Sequence, residues 1–177
     1  VSVADLNDAI TQANTATTDP TTTVFSVASG ATITTGDEAA FSTLLTNETG
    51  GNISITDQNL TVSSGTISVD NANLLNATTT GTVTAAIDLT EDVDELATLS
   101  GTGAYTIVIA SGDATGSTAA EFNTINSATT VAIDASEVTA LASSNLSDVK
   151  TLLTAANDTD QFTDSTGKVS FLSLIHI

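Results

Sequence analysis

Apolar residues recur along this chain in two periods, one typical of strands and one typical of helices. Short runs rich in Val, Ile and Thr begin near a Thr and end in Asp, Asn or Ser, which is the pattern of half-buried strands. Such runs predict strands at 23–27, 52–56, 66–70, 84–88, 105–109 and 130–134. The sequence therefore predicts short strands separated by other elements.

Helix-length patterns lie between several of the predicted strands. Capping boxes beginning at Thr35 and Thr118 are each followed by apolar residues at helical spacing. The same spacing recurs at 3–13, 89–99 and 146–153. These segments predict helices that alternate with the strands.

Two stretches of the chain align with each other when gaps are allowed. Residues 72–99 and 120–153 each run through a helix, a strand, an Asp and a second helix. The match implies irregular repeats of about 40 to 50 residues, which bury their apolar faces against neighbouring repeats. We predict one α/β solenoid over 1–169, with its clearest repeats at 66–104 and 105–155, and keep an all-β sandwich as the alternative fold.

Composition and charge restrict the partners of such a fold. Ser and Thr make up about three residues in ten, which is unusual for a globular enzyme. The formal net charge is −19, from 21 Asp and Glu against two Lys, which argues against binding to nucleic acid or anionic membranes. The chain has no Cys, which excludes disulfides, thiol catalysis and Cys-based metal sites.

The two ends of the sequence are atypical. The chain begins with Val1 and has no secretory signal pattern, so we expect the natural start to be missing. No stretch approaches the ~20 apolar residues of a membrane span, so we expect no membrane insertion. Residues 170–177 are abruptly apolar and resemble a translated sequencing adapter, so we treat them as a non-native tail.

Candidate catalytic groups are few. A Ser-His-Asp arrangement needs a His, and the only one, His176, lies in the tail. The acids at 91–95 offer paired carboxylates, but sugar clefts usually add aromatic platforms and Tyr105 is the only Tyr. The loop 112–118 lacks the Lys of a phosphate-binding loop and is predicted to be a turn that caps the next helix. We expect no catalytic or cofactor-binding residues, and no enzyme.

Calcium is the metal that the acids suggest. The cluster at 91–95, or Asp158, Asp160 and Asp164, supplies oxygen ligands, but neither follows a known calcium loop. A solvated helix start with acids favoured by the helix dipole is the simpler interpretation. Calcium is therefore left as an open possibility with no assigned ligands.

Four segments carry a resemblance to a known class of proteins. They are Tyr105–Ile109, Ala119–Asn126, Thr130–Leu141 and Leu146–Lys150, and the likeness extends over about 66–155. They resemble the tandem repeats of giant marine cyanobacterial cell-surface proteins, including the type tied to non-flagellar swimming. The resemblance implies an extracellular structural or adhesive role and supplies no catalytic residues or ligand.

The function predicted from the sequence is accordingly structural. We expect a non-catalytic spacer or adhesive segment of a large secreted cell-surface protein, whose partners are neighbouring repeats and cell-surface glycans. The alternative is a module that binds ice or glycans through a Thr-rich face. Ice binding needs regular ranks of Thr, and the spacing between the predicted strands is uneven.

Overall fold

Six helices alternate with short parallel strands in the part of the chain that the structure describes. This part comprises residues 1–16, 24–110, 112, 116–158 and 161–163 of the computed structural model. The chain divides into two compact units, Val1–Ala86 and Ile87–Ile177. The prediction of a mixed α/β protein is confirmed. The all-β sandwich is wrong, because capped helices with buried faces lie between the strands.

The first unit contains three helices and five strands among its described residues. They are α1 (Val3–Ala16), β1 (Phe25–Ser26), β2 (Thr32–Ile33), α2 (Glu38–Thr49), β3 (Ile53–Ser54), β4 (Asn59–Thr61), α3 (Val69–Thr78) and β5 (Val83–Ala86). Short polar side chains form the N-caps of α2 and α3. Asp37 accepts from the Ala40 N–H at 2.9 Å, and Ser68 accepts from the Asn71 N–H at 3.4 Å.

The strands of the first unit pair in parallel. Phe25 and Ser26 of β1 pair with Ile53 and Ser54 of β3. In a second sheet, β4 lies between β2 and β5, with Leu60 paired to Ile33 on one side and to Val83 on the other. Ile33, Leu60 and Val83 are all fully buried, so one side of this sheet faces the core.

The second unit contains three helices and three strands among its described residues. They are α4 (Val93–Leu96), β6 (Ala104–Thr106), α5 (Ala119–Ala128), β7 (Ile133–Asp134), α6 (Leu146–Asp158) and β8 (Phe162–Thr163). Parallel pairing joins β7 to β8, and isolated parallel bridges join Gly103 to Thr129 and Val108 to Asp134. The core includes Tyr105, Phe122 and Phe162, and the last two rings lie 6.1 Å apart.

The helices pack side by side within each unit. In the first unit α1 contacts α2 and α2 contacts α3, and in the second α4 contacts α5 and α5 contacts α6. Buried residues at helical spacing form each contact face, for example Val69, Ala72 and Leu75 on α3. The helices thus bury apolar residues against neighbouring helices, and α2, α3 and α6 also contact a strand.

Several predicted boundaries differ from the observed ones. Residues 66–70 are not a strand, because Ser68 caps α3 and Val69 begins its buried helical face. The cap predicted at Thr35 lies at Asp37, since Thr35 has a φ of 65° and cannot begin a helix. The long helix predicted at 89–99 is one turn, Val93–Leu96, capped by Asp92. The capping box at Thr118 is confirmed, with Glu121 bonded back to Thr118.

Candidate functional site

A pair of threonines follows α3, and an equivalent pair follows α5. The buried hydroxyl of Thr79 donates to the Gln58 carbonyl at 2.6 Å and accepts from the Gly81 N–H at 2.9 Å. The next residue, Thr80, donates its N–H to the Thr56 carbonyl at 2.8 Å and its hydroxyl to the same oxygen at 3.1 Å. The pair therefore joins the chain to a segment 21 to 24 residues earlier.

The second pair repeats these contacts. Thr129, also buried, donates to the Tyr105 carbonyl at 2.7 Å and accepts from the Tyr105 and Val131 N–H groups at 3.0 and 3.1 Å. Thr130 donates its N–H to the Gly103 carbonyl at 2.9 Å and its hydroxyl to it at 3.4 Å. In both units, the carbonyl that accepts from the first Thr belongs to a residue two positions after the residue whose carbonyl accepts from the second Thr.

The two residues whose carbonyls accept from the first Thr of each pair are therefore structurally equivalent. Gln58 in the first unit and Tyr105 in the second are both buried. The Gln58 side chain donates to the Val27 and Ala28 carbonyls, each at 3.2 Å. The Tyr105 hydroxyl has no hydrogen-bond partner in the described part of the chain, and burial raises the pKa of Tyr105 to about 12.

An array of hydroxyl and amide side chains lies on the sheet of β2, β4 and β5. The register pairs Thr32 with Asn59 and Thr61 with Thr84, while the Thr82 N–H donates to the Asn59 side chain at 2.9 Å. Because the residues between them are buried, these side chains alternate to the opposite side of the sheet. We call this set the threonine face: Thr32, Thr34, Asn59, Thr61, Thr82 and Thr84.

The sequence did not reveal the threonine face. Its three segments, Thr32-Ile33-Thr34, Asn59-Leu60-Thr61 and Thr82-Val83-Thr84, are unevenly spaced along the chain. The structure nevertheless brings them into register, because the segments between strands differ in length without changing the pairing. The triplet pattern of polar, buried apolar and polar residues was the one local signal that pointed to it.

The acids at 91–95 act mainly at a helix start. Asp92 accepts from the Glu95 N–H at 2.9 Å, and Glu95 bonds back to the Asp92 N–H, which completes a capping box for α4. The charge of Glu121 on α5 raises the pKa of the exposed Asp94, and the charge of Asp92, slight desolvation and a hydrogen bond with Glu121 add to the shift. Two acids from neighbouring helices therefore lie close together.

The described residues contain no group of three or more acids or His that could hold a metal ion. Asp160 and Asp164, and the side chain of Asp158, lie outside the described residues, as do the tail at 170–177 and His176. Residues 113–115 of the predicted turn at 112–118 lie outside the described residues, while Gly112 and Gly116 have positive φ and Thr118 is the N-cap of α5. The only Tyr is buried, so it offers no aromatic platform to a sugar.

Comparison with protein-family models, with curated proteins and with solved structures returned no match. None of the helices in the described ranges is long and apolar enough to cross a membrane. The geometry of the chain itself is therefore the basis for a functional proposal.

Proposed function

We propose that this chain is a structural repeat segment, a stacked helix–strand solenoid that acts as a spacer or adhesive segment of a large secreted cell-surface protein. The observation that carries the proposal is the duplicated threonine pair. Thr79 and Thr80 in one unit, and Thr129 and Thr130 in the other, make the same bonds to an earlier segment of the chain. Repeated contacts of this kind are what hold neighbouring repeats in a solenoid.

The surface chemistry supports the same role. A net charge of −19 keeps a long Thr-rich polymer soluble and resists aggregation, which suits an extracellular spacer. Some of the charged side chains stabilise helix starts. Asp92 is the N-cap of α4, and Glu121 completes the capping box of α5. On this proposal the function of the chain lies in its stacking and not in a reaction.

Force spectroscopy on the full chain tests the proposal. A solenoid whose strands pair with segments 21 to 30 residues away is expected to unfold in small steps, one helix–strand turn at a time, and each turn is shorter than the repeats of about 40 to 50 residues predicted from the sequence. Each step releases about 70–105 Å of chain, at about 3.5 Å per residue. Rupture of each unit in one event of about 300 Å would contradict repeat-wise stacking.

A matched pair of variants sharpens that measurement. Thr129→Val is expected to lower the force of one step and leave the others unchanged, because it removes bonds between two neighbouring helix–strand turns. Thr124→Val is the control, since the exposed Thr124 hydroxyl bonds only within its own helix, to the Ala120 carbonyl at 3.0 Å. Equal effects of the two substitutions would count against the proposal.

The threonine face favours a second candidate function, binding to ice. Neighbouring strands in a sheet lie about 4.8 Å apart and alternate side chains along a strand about 6.7 Å apart, so polar side chains on one side of a sheet follow a regular spacing. The register pairs Thr61 with Thr84, and Asn59 stands beside Thr32 in the neighbouring rank. The surface oxygens of ice are also arranged in a regular plane, which such an array can match.

Partition of the full chain into growing ice separates the two candidate functions. An ice-binding face is expected to carry the protein into the ice, and Thr61→Lys at its centre to abolish most of that partition. Thr43→Lys is the control, because the exposed Thr43 lies on α2 and bonds within that helix. A spacer without this activity is excluded from ice, and wild type and both variants then behave alike.

A further inference from the structure

The outer side of α6 is an apolar groove at the surface of the second unit. Its lining comprises Leu146, Val149, Lys150, Leu153, Thr154 and Asn157. Leu146 is 83% exposed, the highest value among the exposed large apolar residues of the described chain. In α3 and α5 the first helical residue, Val69 or Ala119, is buried instead. An exposed apolar helix face of this kind is a typical binding surface.

A contact shared by the α1–α2 and α5–α6 pairs indicates what the groove binds. The Asn7 side chain, five residues after the cap Ser2, donates at 3.0 Å to the carbonyl of Ala40 on the next helix. Ala40 is the third residue after the cap Asp37. In this pair, a side chain at the fifth position after one cap thus meets the carbonyl of the third residue after the next cap.

The α5–α6 pair of the second unit makes the same contact. Asn123, five residues after the cap Thr118, donates at 3.0 Å to the carbonyl of Asp148 on α6. Asp148 is the third residue after Asn145, whose side chain accepts from the Asp148 N–H. The fifth position after Asn145 is Lys150, which lines the apolar groove.

Lys150 holds the position on α6 that contacts the start of the next helix in the α1–α2 and α5–α6 pairs. It would therefore bring a positive charge to the start of a helix packed against the groove. The third residue after the cap is an acid in several helices, namely Asp5, Glu95, Glu121 and Asp148. Among these, Asp5 is exposed on α1, which packs against α2 and leaves Ala4, Asp8 and Thr11 exposed as well. The short side chains on this side of α1 allow close approach of another helix.

We propose that the α6 groove binds α1 of a second copy of this chain. Leu146, Val149 and Leu153 pack on the exposed side of α1, and the Lys150 ammonium pairs with the Asp5 carboxylate. The charge complementarity is specific, because the groove contains a Lys and no acid while the exposed side of α1 contains acids and no Lys. An α6–α6 pair would instead bring two lysine-bearing faces together.

The contact joins two different surfaces, so a bound copy still offers its own α6 groove to the next copy. Self-association of this kind goes beyond the proposed spacer role and does not depend on it. Because every copy carries a net charge of −19, the association is expected to need enough salt to screen the repulsion between copies.

Sedimentation of the full chain over a range of concentrations tests the proposal. We expect the mean mass to rise with concentration at about physiological salt, and Leu146→Glu to raise the Kd at least about tenfold, because it puts a charge into the apolar contact. Leu74→Glu is the matched control, since Leu74 is 55% exposed on α3 and lies outside the groove. A chain that stays monomeric, or one equally affected by both substitutions, overturns the proposal.

A charge exchange identifies the partner surface. Lys150→Asp is expected to weaken association about fivefold, and the double variant Lys150→Asp with Asp5→Lys to restore most of the loss. Failure of the double variant to recover association overturns the assignment of α1.

A cysteine variant tests the competing symmetric dimer. The chain has no Cys, so Leu146→Cys introduces a unique thiol. Rapid formation of a 146–146 disulfide would overturn the proposal in favour of an α6–α6 pair. Slow formation at a concentration where sedimentation shows the chain to be associated supports the α1–α6 contact.

Discussion

Gln58 and Tyr105 occupy the same position in two units of the molecule, yet they solve the problem of burial differently. The carbonyl of each accepts a hydrogen bond from a buried Thr hydroxyl. The Gln58 amide finds two carbonyls, whereas the Tyr105 hydroxyl finds no partner among the described residues. The two units therefore share the backbone contact between segments, while the side chain at that position differs in its chemistry.

The largest expected effect comes from the shared contact. Thr79→Val and Thr129→Val each keep the side-chain shape but leave a buried carbonyl and N–H groups without partners, so each should lower the free energy of unfolding by about 2 kcal/mol. Chemical denaturation monitored by circular dichroism measures the loss. Thr124→Val should change it by less than about 0.5 kcal/mol. A large effect at one Thr and none at the other would break the equivalence of the two units.

The next prediction distinguishes Gln58 from Tyr105 by the sign of the change in the free energy of unfolding. Gln58→Leu should destabilise the protein by about 1 to 2 kcal/mol, because it leaves the Val27 and Ala28 carbonyls without their donor. Tyr105→Phe should stabilise it by about 1 kcal/mol, because it removes a buried hydroxyl that has no partner among the described residues. The same denaturation experiment reads both, with the exposed Gln12→Leu as control. Destabilisation by Tyr105→Phe would mean that the hydroxyl is satisfied in solution.

Alkaline pH sharpens the contrast further. The pKa of Tyr105 is raised from 10.0 to about 12 in the folded protein, so the folded state keeps a proton that the unfolded chain releases. The resulting stability is complete below pH 10 and is lost as the pH rises through about 12. Phenolate absorbance reports Tyr105 alone, because the chain has one Tyr. Tyr105→Phe should remove this alkaline loss, and a titration near pH 10 would contradict the burial of the ring.

The smallest effect concerns the acids of the second unit. Repulsion by Glu121 and Asp92 contributes to the raised pKa of Asp94, so Asp94→Asn should raise the Tm slightly at neutral pH. The gain should shrink as the pH falls towards 4, because a carboxyl with a raised pKa in the folded state becomes protonated and loses the repulsion. Added salt should shrink it too. Asp70→Asn, at an exposed helix start in the first unit, is the control and should give no such gain.

The candidate surfaces were only partly visible in the sequence. The Thr-Thr pairs at 79–80 and 129–130 can be read directly, but not the carbonyls that they meet, since these lie 21 to 27 residues earlier. The α6 groove was hidden for a different reason. Leu146, Val149 and Leu153 predict a helix with one apolar side, and an apolar side is normally buried.

Local chemistry by itself determined several of the helices, although the strand predicted at 66–70 was wrong. The cap at Thr118 and the apolar spacing of α1, α5 and α6 act over four or five residues, and they gave the correct elements. The tertiary structure alone decided the register, because parallel strands pair across an intervening helix and no local interaction fixes which residues face each other. That register aligns the threonine face, and the packing of the helices leaves the α6 groove exposed.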